Sequence, residues 1–277
     1  MSLLPNLSNL SNLSNRSLAL RPCGLMPAPI FDEELNMTAD DNDDYSDNWN
    51  PLIFASQRGD IVWVRHLIAS GANVNAANRH GETALIVAVV FGHVNVIDEL
   101  LAAKADVNAA NNGGWTALME ASEQGHVDIM KTLLAIPGIE VNAADPAGWT
   151  ALMYAARNNH ANAVALLVPD SGPGVNAINS DGLTALMDAS GFGYVDVVTE
   201  LLLAFSIDVN FTGLYGWTAL IMASVEAHTD VVKKLIATPG IKVNVKDQSG
   251  RTALKWASRH ENSAETIDLL LKMGATE

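Results

Sequence analysis

The chain has 277 residues, 49% of them apolar and only 6% aromatic, and carries a formal charge of -15 at pH 7. That acidic excess argues against a phosphate-backbone partner, which needs clustered Lys and Arg, and leaves room for a basic protein partner. The single cysteine, Cys23, excludes an intrachain disulfide and a zinc–thiolate cluster, and no apolar run reaches the roughly 18 residues of a membrane span.

Residues 1–48 differ in character from the rest of the chain. Residues 6–17, NLSNLSNLSNRS, are of low complexity, and no acid precedes Asp32. Asn and Ser interrupt every Leu, which is unlike the continuous apolar stretch of a secretory signal. The stretch reads as a disordered tail, with an organellar transit peptide as the alternative, since Ser, Arg16, Arg21 and the lack of acids suit one. Its Asn-Leu-Ser triplets match glycosylation acceptors, which carry no weight without a secretory route. Residues 32–47 then hold eight acids, a pattern of solvated, extended linkers.

From Asn50 onward the chain repeats itself. The threonine of a recurring TAL falls at Thr83, Thr116, Thr150, Thr184, Thr218 and Thr252, spaced 33 residues once and 34 thereafter. A Val-Asn pair keeps step, from Val74-Asn75 to Val243-Asn244, and Asn50 stands in the threonine column of a first unit. That gives seven units, beginning near residues 50, 83, 116, 150, 184, 218 and 252, and a domain over residues 49–277.

Each unit predicts two short helices. The threonine hydroxyl caps the N–H groups of the first. In the first unit Asn50 is the cap, and Pro51 follows at the first helical position. Small residues such as Ala117, Ala121 and Ser122 allow close helix approach. Gly125 ends that helix in the third unit, and Val127, Met130, Leu133 and Leu134 give the second its apolar stripe. One unit cannot bury that stripe alone, so the units stack as a solenoid. Polar residues of the last unit (Arg251, Lys255, Arg259, Glu261, Asn262, Glu265 and Lys272) suit an end cap, whereas Trp63 in the first needs cover.

Period, G-x-T-A-L-x-x-A, the GH pair and A-D-V-N together resemble the ankyrin repeat, over about four-fifths of the chain. The resemblance implies an all-α solenoid of helix–turn–helix units joined by β-turn loops. Three departures are visible. The family's Thr-Pro-Leu-His becomes Thr-Ala-Leu followed by Ile86, Met119, Met153, Met187, Ile221 or Lys255, so apolar packing must replace the histidine's hydrogen bonds. Gly213 takes the column of Asn111, Asp145, Asn179 and Asp247, and the last unit has one extra residue within 259–265.

Several residue patterns suggest chemistry that the repeat geometry denies them. His93, His126, His160 and His228, with Tyr194 in their column, lie on units about 10 Å apart. Metal ligands must converge within about 2 Å of one ion, so these histidines are expected to bond neighbouring backbone. The Arg58-Gly59-Asp60 tripeptide occupies a turn column and is read as coincidence. The Asn after each Val is expected to bond backbone in its connecting loop. No nucleophile with a neighbouring base, no phosphate loop and no zinc motif stands out. The expectation is a protein that is not an enzyme and uses no cofactor or metal.

The variable columns are left to carry function, because turn tips and the outer face of the first helix form a continuous concave surface in such arrays. Before the threonine stand Glu82, Trp115, Trp149, Leu183, Trp217 and Arg251, a column that resembles the partner-contact column of the family. On the first helix stand Val87, Glu120, Tyr154, Asp188, Met222 and Trp256, with Glu123, Arg157 and Phe192 near its end. The candidate partner-binding set is Trp115, Trp149, Leu183, Trp217, Tyr154, Phe192, Met222, Trp256, Glu120, Glu123, Asp188 and Arg157, since large aromatics make binding hot spots. The Trp row has two readings at this stage, a contact surface or rings lying flat over the neighbouring turn. The expected function is a monomeric cytoplasmic scaffold that binds another protein, without nucleic acid or membrane insertion. The alternatives are a targeting or regulatory subunit of an enzyme complex, a secreted effector that captures a host protein, or a self-associating element.

Overall fold

Every repeat threonine starts a helix. In the computed structural model, which describes residues 50–260 and 263–277 within a unit spanning Tyr45–Glu277, the Thr83, Thr116, Thr150, Thr184, Thr218 and Thr252 hydroxyls accept the N–H three residues on at 3.2–3.4 Å. Asn50 does the same for Leu52 and Ile53. The tail expected over residues 1–48, and Glu261 and Asn262 in the final unit, lie outside the described residues.

Among the described residues the helices come in seven pairs: α1 (Pro51–Arg58) and α2 (Ile61–Ala69), α3 (Ala84–Val90) and α4 (Val94–Ala102), α5 (Ala117–Gln124) and α6 (Val127–Leu134), α7 (Ala151–Arg157) and α8 (Ala161–Ser171), α9 (Ala185–Phe192) and α10 (Val195–Leu201), α11 (Ala219–Val225) and α12 (Thr229–Ile236), and α13 (Ala253–Ala257) and α14 (Ala264–Lys272). First helices pack in order from α1 to α13, with the second helices behind them. The fold is the all-helical solenoid that the repeat implied.

Burial explains the fixed letters. Ala55, Ala88, Ala121, Ala155, Ala189, Ala223 and Ala257, one per unit, have no exposed surface, so the first helices meet where the side chain is smallest. Ile86, Met119, Met153, Met187 and Ile221 are at most 3% exposed and fill the place of the family's histidine with apolar packing. Second helices bury only a stripe, such as Ile129, Met130 and Leu133 on α6. In the first unit Trp63 is half-buried and meets Phe54 edge to face at 6.0 Å.

Units are also laced together by polar side chains. The Asn after each Val reaches the following unit rather than its own loop. Asn108 donates to Gly138 O at 2.9 Å and accepts from Glu140 N at 2.9 Å; Asn210 and Asn244 repeat both bonds one step along each time. Each thereby satisfies a carbonyl and an N–H in the turn after the next second helix, which a bond within one loop would not do. The histidine ring nitrogens (Nε2) of His93, His160 and His228 bond the preceding unit's carbonyls of Gln57, Glu123 and Gly191 at 2.9–3.0 Å. The tripeptide at residues 58–60 is structural: Gly59 closes α1 in the left-handed region (φ 69°) and Asp60 caps α2.

Two turns depart from the pattern. Gly213 keeps the hairpin by donating to Trp217 O, and a 3-10 turn at Leu214–Gly216 follows, with Tyr215 at φ 62°. A side chain at 213 would collide with Gly182 O, which explains why no Asn stands there. In the fourth unit α8 runs through Pro169 to Ser171 and passes into a 3-10 turn at Gly172–Asn176.

Candidate functional site

The turn before each first helix sets the geometry of the variable columns. Asp145 Oδ1 accepts the N–H groups of Ala147 and Trp149 at 2.9 and 2.8 Å, fixing the turn that presents Trp149. Asn111 holds Trp115 in the same way, and Asn179 holds Leu183. Trp115 then lies over the next unit. Its ring centre is 4.2 Å from that of Tyr154, thirty-nine residues later, and the same step carries Trp217 onto Trp256 at 5.6 Å. These two are therefore contacts between units as well as residues of a row.

In units three to five the rings join into a ladder. Tyr154 touches Trp115 on one side and Trp149 at 5.4 Å on the other. The Arg157 guanidinium lies 5.4 Å from the Trp149 ring centre and 4.8 Å from that of Phe192, which stacks on Tyr194 at 5.5 Å. Trp115, Trp149, Tyr154 and Phe192 are all half-buried, so each gives part of a ring to the array and part to solvent. Glu120, Glu123 and Leu183 are half-buried beside them.

Two polar anchors fix this ladder. Tyr154 Oη donates to Asp145 Oδ2 at 2.7 Å. Burial, that hydrogen bond and the nearby carboxylates of Asp145, Glu123 and Glu120 all hold the phenol well above its usual pKa. Arg157 Nη1 donates to Asp188 Oδ1 at 2.8 Å, and the two side chains are only 12% and 4% exposed. Burial pushes the Asp188 carboxyl up to about 6, with Arg157 partly opposing the rise.

Four of the expected contact residues are enclosed and take another part. Trp217 (8% exposed) lies against Trp256 (7%), whose Nε1 donates to Asp247 Oδ2 at 2.9 Å and whose ring is covered by Arg251 at 4.0 Å. Met222 (4%) fills the space left by Gly191, where a Cβ would lie 2.9 Å from the Met222 terminal methyl. Asp188 (3%) is spent on Arg157. All four side chains lie within the array. The Trp row thus divides: Trp115 and Trp149 remain partly open, and Trp217 is core.

Sequence reasoning missed Asp145 and Tyr194. The signal for Asp145 is the acid in a column of asparagines. Asp145 and Asp247 each stand nine residues before an aromatic donor, Tyr154 or Trp256, and each gives its second oxygen to it. Burial raises the Asp247 pKa, but hydrogen bonds from the backbone of Arg251 and Ser249 and from the Trp256 and Arg251 side chains outweigh it and hold the carboxylate below its ordinary range. Among the described residues no three His, Cys, Asp or Glu side chains converge as metal ligands, and no helix is long and apolar enough to cross a membrane.

The fold and its polar lacing define a protein of the ankyrin-repeat class. The family profile described as ankyrin repeats (3 copies) matches residues 29–111, 52–145, 138–212 and 201–276, and the chain belongs to that family. Its structure is similar to the ankyrin repeat domain of Bcl-3, a member of the IkappaB protein family, at 26% identity and a TM-score of 0.72, covering 82% of this chain and 99% of that one. It is also similar to the human ASB11 ankyrin repeat domain, at 26% identity and a TM-score of 0.63, covering 81% and 98%. No curated protein sequence matches the chain. Ankyrin repeats are generally modules of protein–protein interaction.

Proposed function

We propose that the chain is a non-catalytic scaffold that binds another protein through the first helices and turn tips of units three to five. The observation that carries this reading is the ladder of half-buried rings from Trp115 to Tyr194. Half-burial at a fixed position is what a binding anchor needs: the ring is already ordered, so little side-chain freedom remains to be lost on association. Aromatic and Arg side chains dominate binding energy where they occur, and polar neighbours exclude water around them.

The test is partner capture from native lysate by crosslinking, comparing the full chain with Trp115→Ala/Trp149→Ala. The expected result is a partner lost in the variant while helical content is kept and the melting temperature falls only modestly. Removing the rings costs ring contacts of about 0.5–1.5 kcal/mol each beyond the area they bury. A double variant that retains the partner overturns the reading, and one that unfolds assigns both indoles to the core.

A further inference from the structure

The turn after the second helix of unit five is dressed differently from its counterparts. Leu203 is 72% exposed and Phe205 fully so, whereas the same columns hold Ala135 and Pro137 in unit three and Ala237 and Pro239 in unit six. The repeat therefore asks for nothing large at either position, and apolar side chains held out in water in this way mark a contact surface.

This turn is nevertheless placed as the next one is. Asn176 donates to Ser206 O at 2.7 Å and accepts from Asp208 N at 2.8 Å. Asn210 does the same one unit on, with Gly240 O at 2.9 Å and Lys242 N at 2.7 Å. Leu201 and Leu235, just before the two turns, are both enclosed. The segments thus share one register, and four columns correspond in space: Glu200 with Lys234, Leu203 with Ala237, Phe205 with Pro239, and Asp208 with Lys242. Glu200 is half-buried and the other seven residues are exposed.

Each column is complementary to itself one step along. Unit five carries the acids and the bulky residues; unit six carries the lysines and the small or flat ones. Among the described residues the side chains of Glu200, Lys234 and Lys242 form no ion pair or hydrogen bond, unlike Lys233, which Asp230 and Glu265 hold. Asp208 gives one oxygen to Asn210 N. The sign of charge changes abruptly here: no Lys or Arg stands between Arg157 and Lys233, and Lys233, Lys234, Lys242 and Lys246 then follow. A wholly basic segment laid across this surface would meet the lysines, and a wholly acidic one the carboxylates. The fitting occupant bears the same pattern in reverse order. A second copy of the chain, turned end for end, bears it.

We infer that two copies of the chain pair through this surface about a two-fold axis that runs across the array between units five and six. Such an axis keeps every column and exchanges the units. Phe205 then meets the partner copy's Pro239 and Leu203 its Ala237, with Glu200 facing its Lys234 and Asp208 its Lys242. The contact uses turns that follow second helices, so it is independent of the reading of the ring ladder on the first helices.

The test is sedimentation equilibrium of the full chain over a range of concentrations, where a monomer–dimer equilibrium is expected. Leu203→Ala with Phe205→Ala raises the dissociation constant by about tenfold or more and leaves the melting temperature of the monomer unchanged, since neither side chain is packed. Glu200→Lys alone and Lys234→Glu alone each set like charges together at both symmetry-related contacts, and each weakens the dimer by about tenfold. Combined, they restore it to within about threefold of wild type, because the exchanged charges again meet their opposites. A single-chain mass at every concentration up to the millimolar range overturns the inference, as does a dimer untouched by the loss of Leu203 and Phe205. A combined charge variant no tighter than the single ones overturns it as well, and so does assembly beyond two chains, since a two-fold contact closes on itself.

Discussion

Tyr154 Oη donates to Asp145 Oδ2 at 2.7 Å, while the other oxygen of Asp145 holds the turn that carries Trp149. One carboxylate therefore sets the positions of two rings of the ladder, one through backbone and one through a side chain. Tyr154→Phe keeps the stack with Trp115 and Trp149 but removes the bond, at an expected cost of about 1 kcal/mol in urea unfolding. Phenolate absorbance provides a second readout. In the wild-type protein the Tyr154 phenol stays protonated beyond the ordinary value of 10.0. In Asp145→Asn it ionises earlier, because a carboxylate that favours the neutral phenol has gone. Unchanged titration in Asp145→Asn would mean that burial and the carboxylates of Glu123 and Glu120 set the phenol's behaviour without Asp145.

Asp188 gives the stability a distinctive dependence on pH. Its folded pKa, about 6, lies above the ordinary carboxylate value of 3.8 because the side chain is buried, despite Arg157. The native state therefore holds a proton that the unfolded chain releases earlier. The stabilisation is fully present below about pH 3.8 and is lost as pH rises through about 6. Across that interval the unfolding free energy falls by at most about 3 kcal/mol from this group. Asp188→Asn keeps an acceptor for Arg157 and removes the titration. The difference between wild type and Asp188→Asn in urea midpoints is expected to change between pH 4 and pH 6 and to be flat above about pH 7. A difference independent of pH would show that Asp188 is ionised throughout.

The array is legible in the sequence because its determinants are periodic. Threonine caps, the fully buried alanine column and the apolar residues after TAL each recur at a fixed step, and each does one local job. The asparagine lacing is misread from sequence for a related reason: Asn108 and its equivalents act across one repeat, and a column of identical letters does not say whether its bonds run within a unit or to the next. The ladder is only half legible. Trp115, Trp149 and Trp217 share a column, but their exposure depends on the residue thirty-nine positions on, Tyr154, Asp188 or Trp256, and on what covers that residue in turn. Arg251 over Trp256 closes the C-terminal pair, while Arg157 lies beside Trp149 and leaves it partly open. Such an outcome depends on pairs of columns, which the period alone does not show.

Gly125 tests how tightly units three and four are joined. It closes α5 at φ 68°, and a Cβ there would lie 2.6 Å from His160 Nδ1. That ring holds the carbonyl of Glu123 at 2.9 Å, so the glycine makes room for a bond between units. Gly138, at φ 85°, provides the control, since a Cβ there meets nothing within 4 Å. Gly138→Ala is expected to cost about 1–2 kcal/mol, the strain of a side chain in the left-handed region. Gly125→Ala carries that strain and also displaces His160, so it should cost about 1 kcal/mol or more beyond the control. In an array held by nearest-neighbour contacts, weakening one junction also broadens or splits the urea transition. Equal losses and equally sharp transitions in the two variants would show that His160 moves aside freely and that the junction does not depend on it.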